Sequence, residues 1–301
     1  MNITNEFRQE VIAALMEQRA RYGGSDASFA KTWSINPSVF SRLKKSGADK
    51  GLLKDIQYLQ IGRELNVSPT SSVWNIARTE VFEAISNDVA FCQQNAKAMI
   101  FVDECEIGKT VAAKYLSKSL KNCFYVDCSQ SKTKNLFIRA LALALGVDPV
   151  GKYAEIKANI KYYLTVLENP IILLDEGGDL EYPAFLEIKE FWNATDGYCG
   201  WYMIGADGLR AKWERGISAH KVGYRELFSR FSGKYMSVVP ANDRSAKDAF
   251  YKKLITAVLE VNTSDKAAIP ALVKKCMATD ANGQLAGLRR AHTLLTLKTA
   301  E

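Results

Sequence analysis

Gly108-Lys109-Thr110 follows the apolar run Ala98-Met99-Ile100-Phe101-Val102 and precedes the helical pattern Val111-Ala112-Ala113-Lys114-Tyr115-Leu116. A strand that turns into a helix this way aims backbone N–H groups and the positive helix end at one point. An ammonium at that point completes a seat for a polyphosphate, with Gly108 giving the backbone room to approach. Further along, Ile171-Ile172-Leu173-Leu174 ends in Asp175-Glu176. The chemistry of such a pairing assigns Lys109 to the outer phosphates, Thr110 and Asp175 to Mg²⁺, and Glu176 to the attacking water. Either half alone says little. Together, in this order, they predict a phosphate-loop site that binds and hydrolyses ATP with Mg²⁺.

The loop departs from G-x-x-x-x-G-K-[ST], because the stretch reads Asp103-Glu104-Cys105-Glu106-Ile107-Gly108-Lys109-Thr110. Asp103 takes the place of the first glycine and Glu106 that of a common mid-loop one. Glycine serves there because it reaches positive φ freely. Carboxylates at positions 103, 104 and 106 would repel a triphosphate, so slow hydrolysis is expected, and tighter ATP binding once glycine is restored at Asp103 and Glu106. A bare strand–turn–helix without nucleotide is the alternative.

The chain has 301 residues, 48% hydrophobic and 24% charged, as in ordinary soluble globular proteins. Its length predicts two domains or three. A formal charge of +7 and a pI near 8.9 suit a nucleic-acid partner. The six cysteines include no C-x-x-C pair, which reads as reduced, buried thiols. His220 and His292 are the two histidines, too few for a histidine-based metal or catalytic centre. Absence of a signal peptide or bilayer-length apolar run predicts a cytoplasmic protein with no membrane partner.

The elements that must position these residues alternate. From Arg78, a helix to Gln94 is followed by strands at 98–102, 123–128, 171–174, 201–205 and 235–239, separated by helices. Such alternation predicts a parallel sheet covered on both faces. Beyond Pro240 the pattern is helical, over 245–261, 269–277 and from about Gln284.

The first third is organised differently. An amphipathic helix over 6–21 carries Phe7, Val11, Leu15 and Met16, and Ser25 or Asp26 caps the next. A second helical pair runs through Ala30 and Trp33, turns at Ser34-Ile35-Asn36, and restarts at Pro37, with Asn36 as N-cap. This resembles a helix-turn-helix of the phage-repressor type, with Ser34 where a turn glycine is common. Ser41, Arg42, Lys44 and Lys45 would face a DNA groove; a helical hairpin with a solvated basic face is the alternative. A further helix over 52–65 completes the unit, and Ser68-Pro69-Thr70-Ser71-Ser72 reads as a linker. The divisions are 1–66, helix-turn-helix; 67–77, linker; 78–240, ATPase core; and 241–301, helical lid.

Further residues fall in order behind the motifs. Asp207 follows the strand 201–205, where a polar side chain can sense the γ-phosphate or simply cap the next helix. Arg230, in Leu227-Phe228-Ser229-Arg230, precedes the last strand and could reach a neighbouring subunit's nucleotide, with Arg225 second. Arg289, in Gly287-Leu288-Arg289, can return a charge to the phosphates from the lid. Lys132 and Lys134 lie in the polar loop Ser129-Gln130-Ser131-Lys132-Thr133-Lys134 after a strand. They have no acid near them in sequence and are expected to touch DNA phosphates.

With these pieces in place the chain resembles the AAA+ ATPases of transposition, the family of the B protein of phage Mu. The resemblance covers nearly the whole length and rests on the helix-turn-helix, Gly108-Lys109-Thr110, Leu173-Leu174-Asp175-Glu176, Leu227-Phe228-Ser229-Arg230 and Gly287-Leu288-Arg289. It implies an α/β fold, a P-loop AAA+ parallel sheet flanked by helices, with an N-terminal helix-turn-helix domain and a C-terminal helical lid. It further implies ATP and Mg²⁺ as cofactors and self-assembly into a helical or ring homo-oligomer. Double-stranded DNA, bound with little sequence preference, and a transposase that receives it as target are the implied partners. A helix-turn-helix transcription regulator with a nucleotide-switch domain is the competing function.

Overall fold

The runs that end at the motif residues become strands of one sheet in the computed structural model, which describes residues 3–46, 51–65, 67, 74–278 and 287–299. The strands are β1 (Ala98–Val102), β2 (Cys123–Asp127), β3 (Ile171–Asp175), β4 (Gly200–Gly205) and β5 (Tyr235–Met236). They lie in the order β2-β3-β4-β1-β5, every pair parallel. β4 therefore separates the two motif strands and carries Ala206 to a place between their ends.

Both faces are covered, which is why β3 is buried along its whole length. Alternate residues serve opposite cores: Ile172, Leu174, Trp201 and Met203 on one side, Ile171, Leu173, Tyr202 and Ile204 on the other. The predicted strand 235–239 shortens to two residues. The amides of Val238 and Val239 donate to the Asp103 side chain instead of a ladder partner, and Pro240 follows.

Four helices form the N-terminal unit: α1 (Asn5–Arg21), α2 (Asp26–Thr32), α3 (Pro37–Ser46) and α4 (Asp55–Leu65). Phe7, Val11, Leu15, Phe29, Phe40 and Leu43 are at its centre. Ile12, not Met16, joins the buried stripe of α1. Ser25 caps α2 by accepting from the Ser28 amide at 3.1 Å, and Asn36 accepts from the Ser38 amide at 2.9 Å. Ser34 makes the turn between α2 and α3 at φ 53°, the left-handed conformation for which glycine is the usual choice.

Core helices α5 (Glu80–Asn95), α6 (Lys109–Ser119), α7 (Lys134–Leu145), α8 (Tyr153–Val166), α9 (Tyr182–Ala194), α10 (Asp207–Ser218) and α11 (Tyr224–Arg230) follow. The N-terminal unit docks against this core. Tyr22 donates to the Leu145 carbonyl at 2.5 Å and Ser28 to that of Gly146 at 2.8 Å. At the C-terminal end, α12 (Arg244–Asn262), α13 (Ile269–Cys276) and α14 (Leu288–Thr299) pack around Ile255, Leu259, Leu272 and Leu295. The predicted linker at 68–72 and the helix start near 284 lie outside the described residues. Among the described residues no helix is long and apolar enough to cross a membrane. Five of the six cysteines are buried thiols, but Cys105, in the 103–107 loop, is exposed and departs from the expected pattern.

Candidate nucleotide site

Gly108 holds φ 97° as the residue that opens α6, a left-handed conformation that costs any residue with a Cβ. Lys109 begins the helix and is 9% exposed. Its Nζ donates to the carbonyl oxygens of Asp103, at 2.9 Å, and of Glu104. Burial holds this ammonium below the ordinary lysine range, opposed by the charges of Cys105, Asp103, Glu176 and Asp175 around it. Asp175 ends β3 at 2% exposure, with Oδ1 accepting from the Glu176 amide at 3.1 Å. Glu176 leaves the strand at φ 51°, ψ 42°. Burial, and then the Asp175 charge beside it, raise its carboxyl above the ordinary range, a setting associated with acid–base work.

Gly108, Lys109, Thr110, Glu176 and Arg289 line one cleft of about 360 Å³. Its far wall was missed from the sequence. Trp74, Asn75, Ile76 and Ala77, read as linker, line it together with Val258 and His292. Asn75 is strapped to α12: its amide donates to Asn262 Oδ1 at 2.7 Å, and Asn262 returns a bond to the Asn75 carbonyl at 3.0 Å. The Trp74 and His292 rings meet at 4.8 Å. A tryptophan and an isoleucine inside a supposed linker were the available signal.

Of the loop carboxylates, Glu106 lines the cleft, whereas Asp103 and Glu104 are held by partners outside its lining. Asp103 is 6% exposed and ties the loop to the chain after β5, accepting from Val238 N at 2.6 Å, Val239 N at 3.0 Å and Glu104 N at 2.8 Å. Glu104 pairs with Lys247 and accepts from the Tyr251 hydroxyl at 2.7 Å, both on α12. Glu106, at φ 62°, faces Arg289 at 3.5 Å, and its carbonyl accepts from Leu288 N at 2.9 Å. Glycine at position 103 would also remove these bonds, so a loss of stability is expected beside any change in ATP binding. Asp103→Ala strips the acceptor from the buried Val239 amide and the half-buried amides of Val238 and Glu104, at about 1–3 kcal/mol for the buried one, and is expected to lower Tm by at least about 2 °C. A melting curve that coincides with the parent's contradicts this role for Asp103.

Other predicted residues lie elsewhere. Asp207 is exposed as the first residue of α10, which has no side-chain cap, and the neighbouring Ala206 lines the cleft instead. Arg230 ends α11 outside the cleft, with its guanidinium 5.0 Å over the Trp192 ring and Nη1 buried without a hydrogen-bond partner. Lys132 and Lys134, expected to be unpaired, are not: they meet Asp179 at 2.8 Å and Glu187 at 3.2 Å, acids brought in by the fold from a distant part of the chain. Ser41, Arg42, Lys44 and Lys45 are exposed on α3, Lys44 paired with Asp26 at 2.9 Å.

Residues 92–212 match a family model described as an AAA domain. That span runs from α5 to α10 and contains the phosphate loop and Asp175-Glu176, so the part of the chain that is similar to an AAA domain is the part that carries both motifs. No curated protein matches the chain.

The donor set fits the group such domains use. A hydroxyl from Thr110 and a carboxylate from Asp175 are hard oxygen ligands of the kind Mg²⁺ prefers alongside substrate phosphates. The ion supplies charge neutralisation on the phosphates when bound. With a nucleotide bound, Lys109 would exchange its loop carbonyls for phosphate oxygens, Gly108 would let the backbone approach, and Glu176 in its ionised form would orient a water.

Proposed function

We propose that the protein is an ATP-dependent, DNA-binding ATPase that assembles on DNA and presents target DNA to a transposase, acting in the cytoplasm. The nucleotide cleft carries the first half of this reading. Gly108, Lys109, Thr110 and Glu176 share it with Arg289 of α14, so the C-terminal helices would serve as a lid that feels nucleotide. The second half is supported by α3, where Ser41, Arg42, Lys44 and Lys45 are exposed while Phe40 and Leu43 turn into the core. That division is what a helix-turn-helix recognition helix requires. Lys132 and Lys134, like Lys44 of α3, are exposed lysines held in ion pairs, weak enough to be exchanged for phosphate contacts.

Electron microscopy of the full chain with Mg²⁺, ATP and random-sequence duplex DNA tests it. Regular filaments or stacked rings on the DNA are expected with ATP and not without it, weakening steeply as salt rises. Tight binding to one palindrome with no assembly would contradict it and favour a transcription regulator with a nucleotide switch.

A further inference from the structure

The Asp175 carboxylate is held from a neighbouring strand by a group that no motif names. Tyr125, on β2, lies one strand over, with Tyr125 opposite Leu173 and Asp127 opposite Asp175 in the register. Its hydroxyl donates to Asp175 Oδ2 at 2.8 Å, while Oδ1 takes the Glu176 amide. A carboxylate has about four lone-pair positions, so these two bonds orient it and leave the rest free. At 2% exposure, water cannot replace a lost donor at Asp175. Lys114, one helical turn beyond Thr110 on α6, places its ammonium 5.6 Å from the Tyr125 ring centre.

We propose that Tyr125 is a positioning residue for metal binding: its hydroxyl fixes the Asp175 carboxylate in the orientation that Mg²⁺·nucleotide needs. The proposal rests on the reading of the cleft as an ATP·Mg²⁺ site. Hydrogen bonds to metal-ligating groups commonly control metal affinity by about 10–100-fold.

The test uses a fluorescent ATP analogue bound to the full chain, first in EDTA and then across a Mg²⁺ series. Tyr125→Phe removes one oxygen and keeps the ring under Lys114. It is expected to bind the nucleotide in EDTA within about twofold of the parent, yet to need about tenfold more Mg²⁺ for the metal-dependent gain. Asp175→Asn is expected to lose that gain altogether, and Lys109→Ala to lose binding in both arms. A Tyr125→Phe Mg²⁺ midpoint equal to the parent's, with Asp175→Asn still defective, overturns the proposal and leaves the site intact. Equal weakening in EDTA and Mg²⁺ also overturns it, since the hydroxyl would then only support the fold. Parent-like binding by Lys109→Ala contradicts the nucleotide site itself.

Discussion

Lys109→Ala protein is expected to lose ATP binding by at least about 100-fold, and with it every ATP-dependent assembly. Each charge-assisted hydrogen bond is worth about 1.5–3 kcal/mol, and every 1.4 kcal/mol is about tenfold in affinity. Two such bonds to phosphate oxygens set the size of the loss. Lys109 is placed for them: buried at the start of α6, its Nζ is committed only to the carbonyls of Asp103 and Glu104. Those carbonyls belong to the loop that a polyphosphate would line, so the ammonium waits beside its target. Isothermal titration of the variant with Mg²⁺·ATP checks this. An affinity within about threefold of the parent's would remove Lys109 from the site.

The second large effect concerns Arg230. Its guanidinium lies over Trp192, away from the cleft of its own chain, and Nη1 is buried without a hydrogen-bond partner. A role in catalysis therefore requires a neighbouring copy, whose nucleotide it would approach at an interface. An arginine supplied in this way is worth about 10³–10⁵ in rate in other nucleotide hydrolases. Arg230→Ala and Glu176→Gln are each expected to be inactive in DNA-stimulated ATP hydrolysis. Mixed together, some interfaces pair an intact Arg230 with an intact Glu176, and a measurable share of the parent rate is expected to return. A mixture as inactive as its components contradicts action in trans.

Much of the sheet was legible in the chain, as were the residues Gly108, Lys109, Thr110 and Glu176 that the fold brings to one cleft. β1 matches its apolar run to the residue because a strand buried on both faces must be continuously apolar. Gly108-Lys109-Thr110 and Asp175-Glu176 were readable because phosphate and metal chemistry restrict residue types at strand ends. The partners of Asp103 were not legible, because an aspartate in a glycine position looks merely repulsive until they are known. Those partners, Val238 and Val239, lie far away in sequence and meet Asp103 only through the β1–β5 pairing. The ion pairs of Lys132 and Lys134 were illegible for the same reason, since Asp179 and Glu187 reach them by folding. Trp74–Ala77 was lost in a segment whose proline and serines read as linker, although Asn75 is held by Asn262. Short-range pattern finds a strand end. It does not find an ion pair between distant segments.

The most direct measurement is a structure of Glu176→Gln protein assembled with ATP, Mg²⁺ and duplex DNA. Glu176→Gln keeps the shape of the site and removes the charge that would orient water. The expected result is a triphosphate at Gly108, Lys109 and Thr110, Mg²⁺ between Thr110 and Asp175, and the base on the side of Trp74 and His292. A nucleotide seated elsewhere would contradict the account. The larger cleft of about 700 Å³ between the N-terminal helices and the core would be such a place, as would a fully assembled complex holding no nucleotide at all.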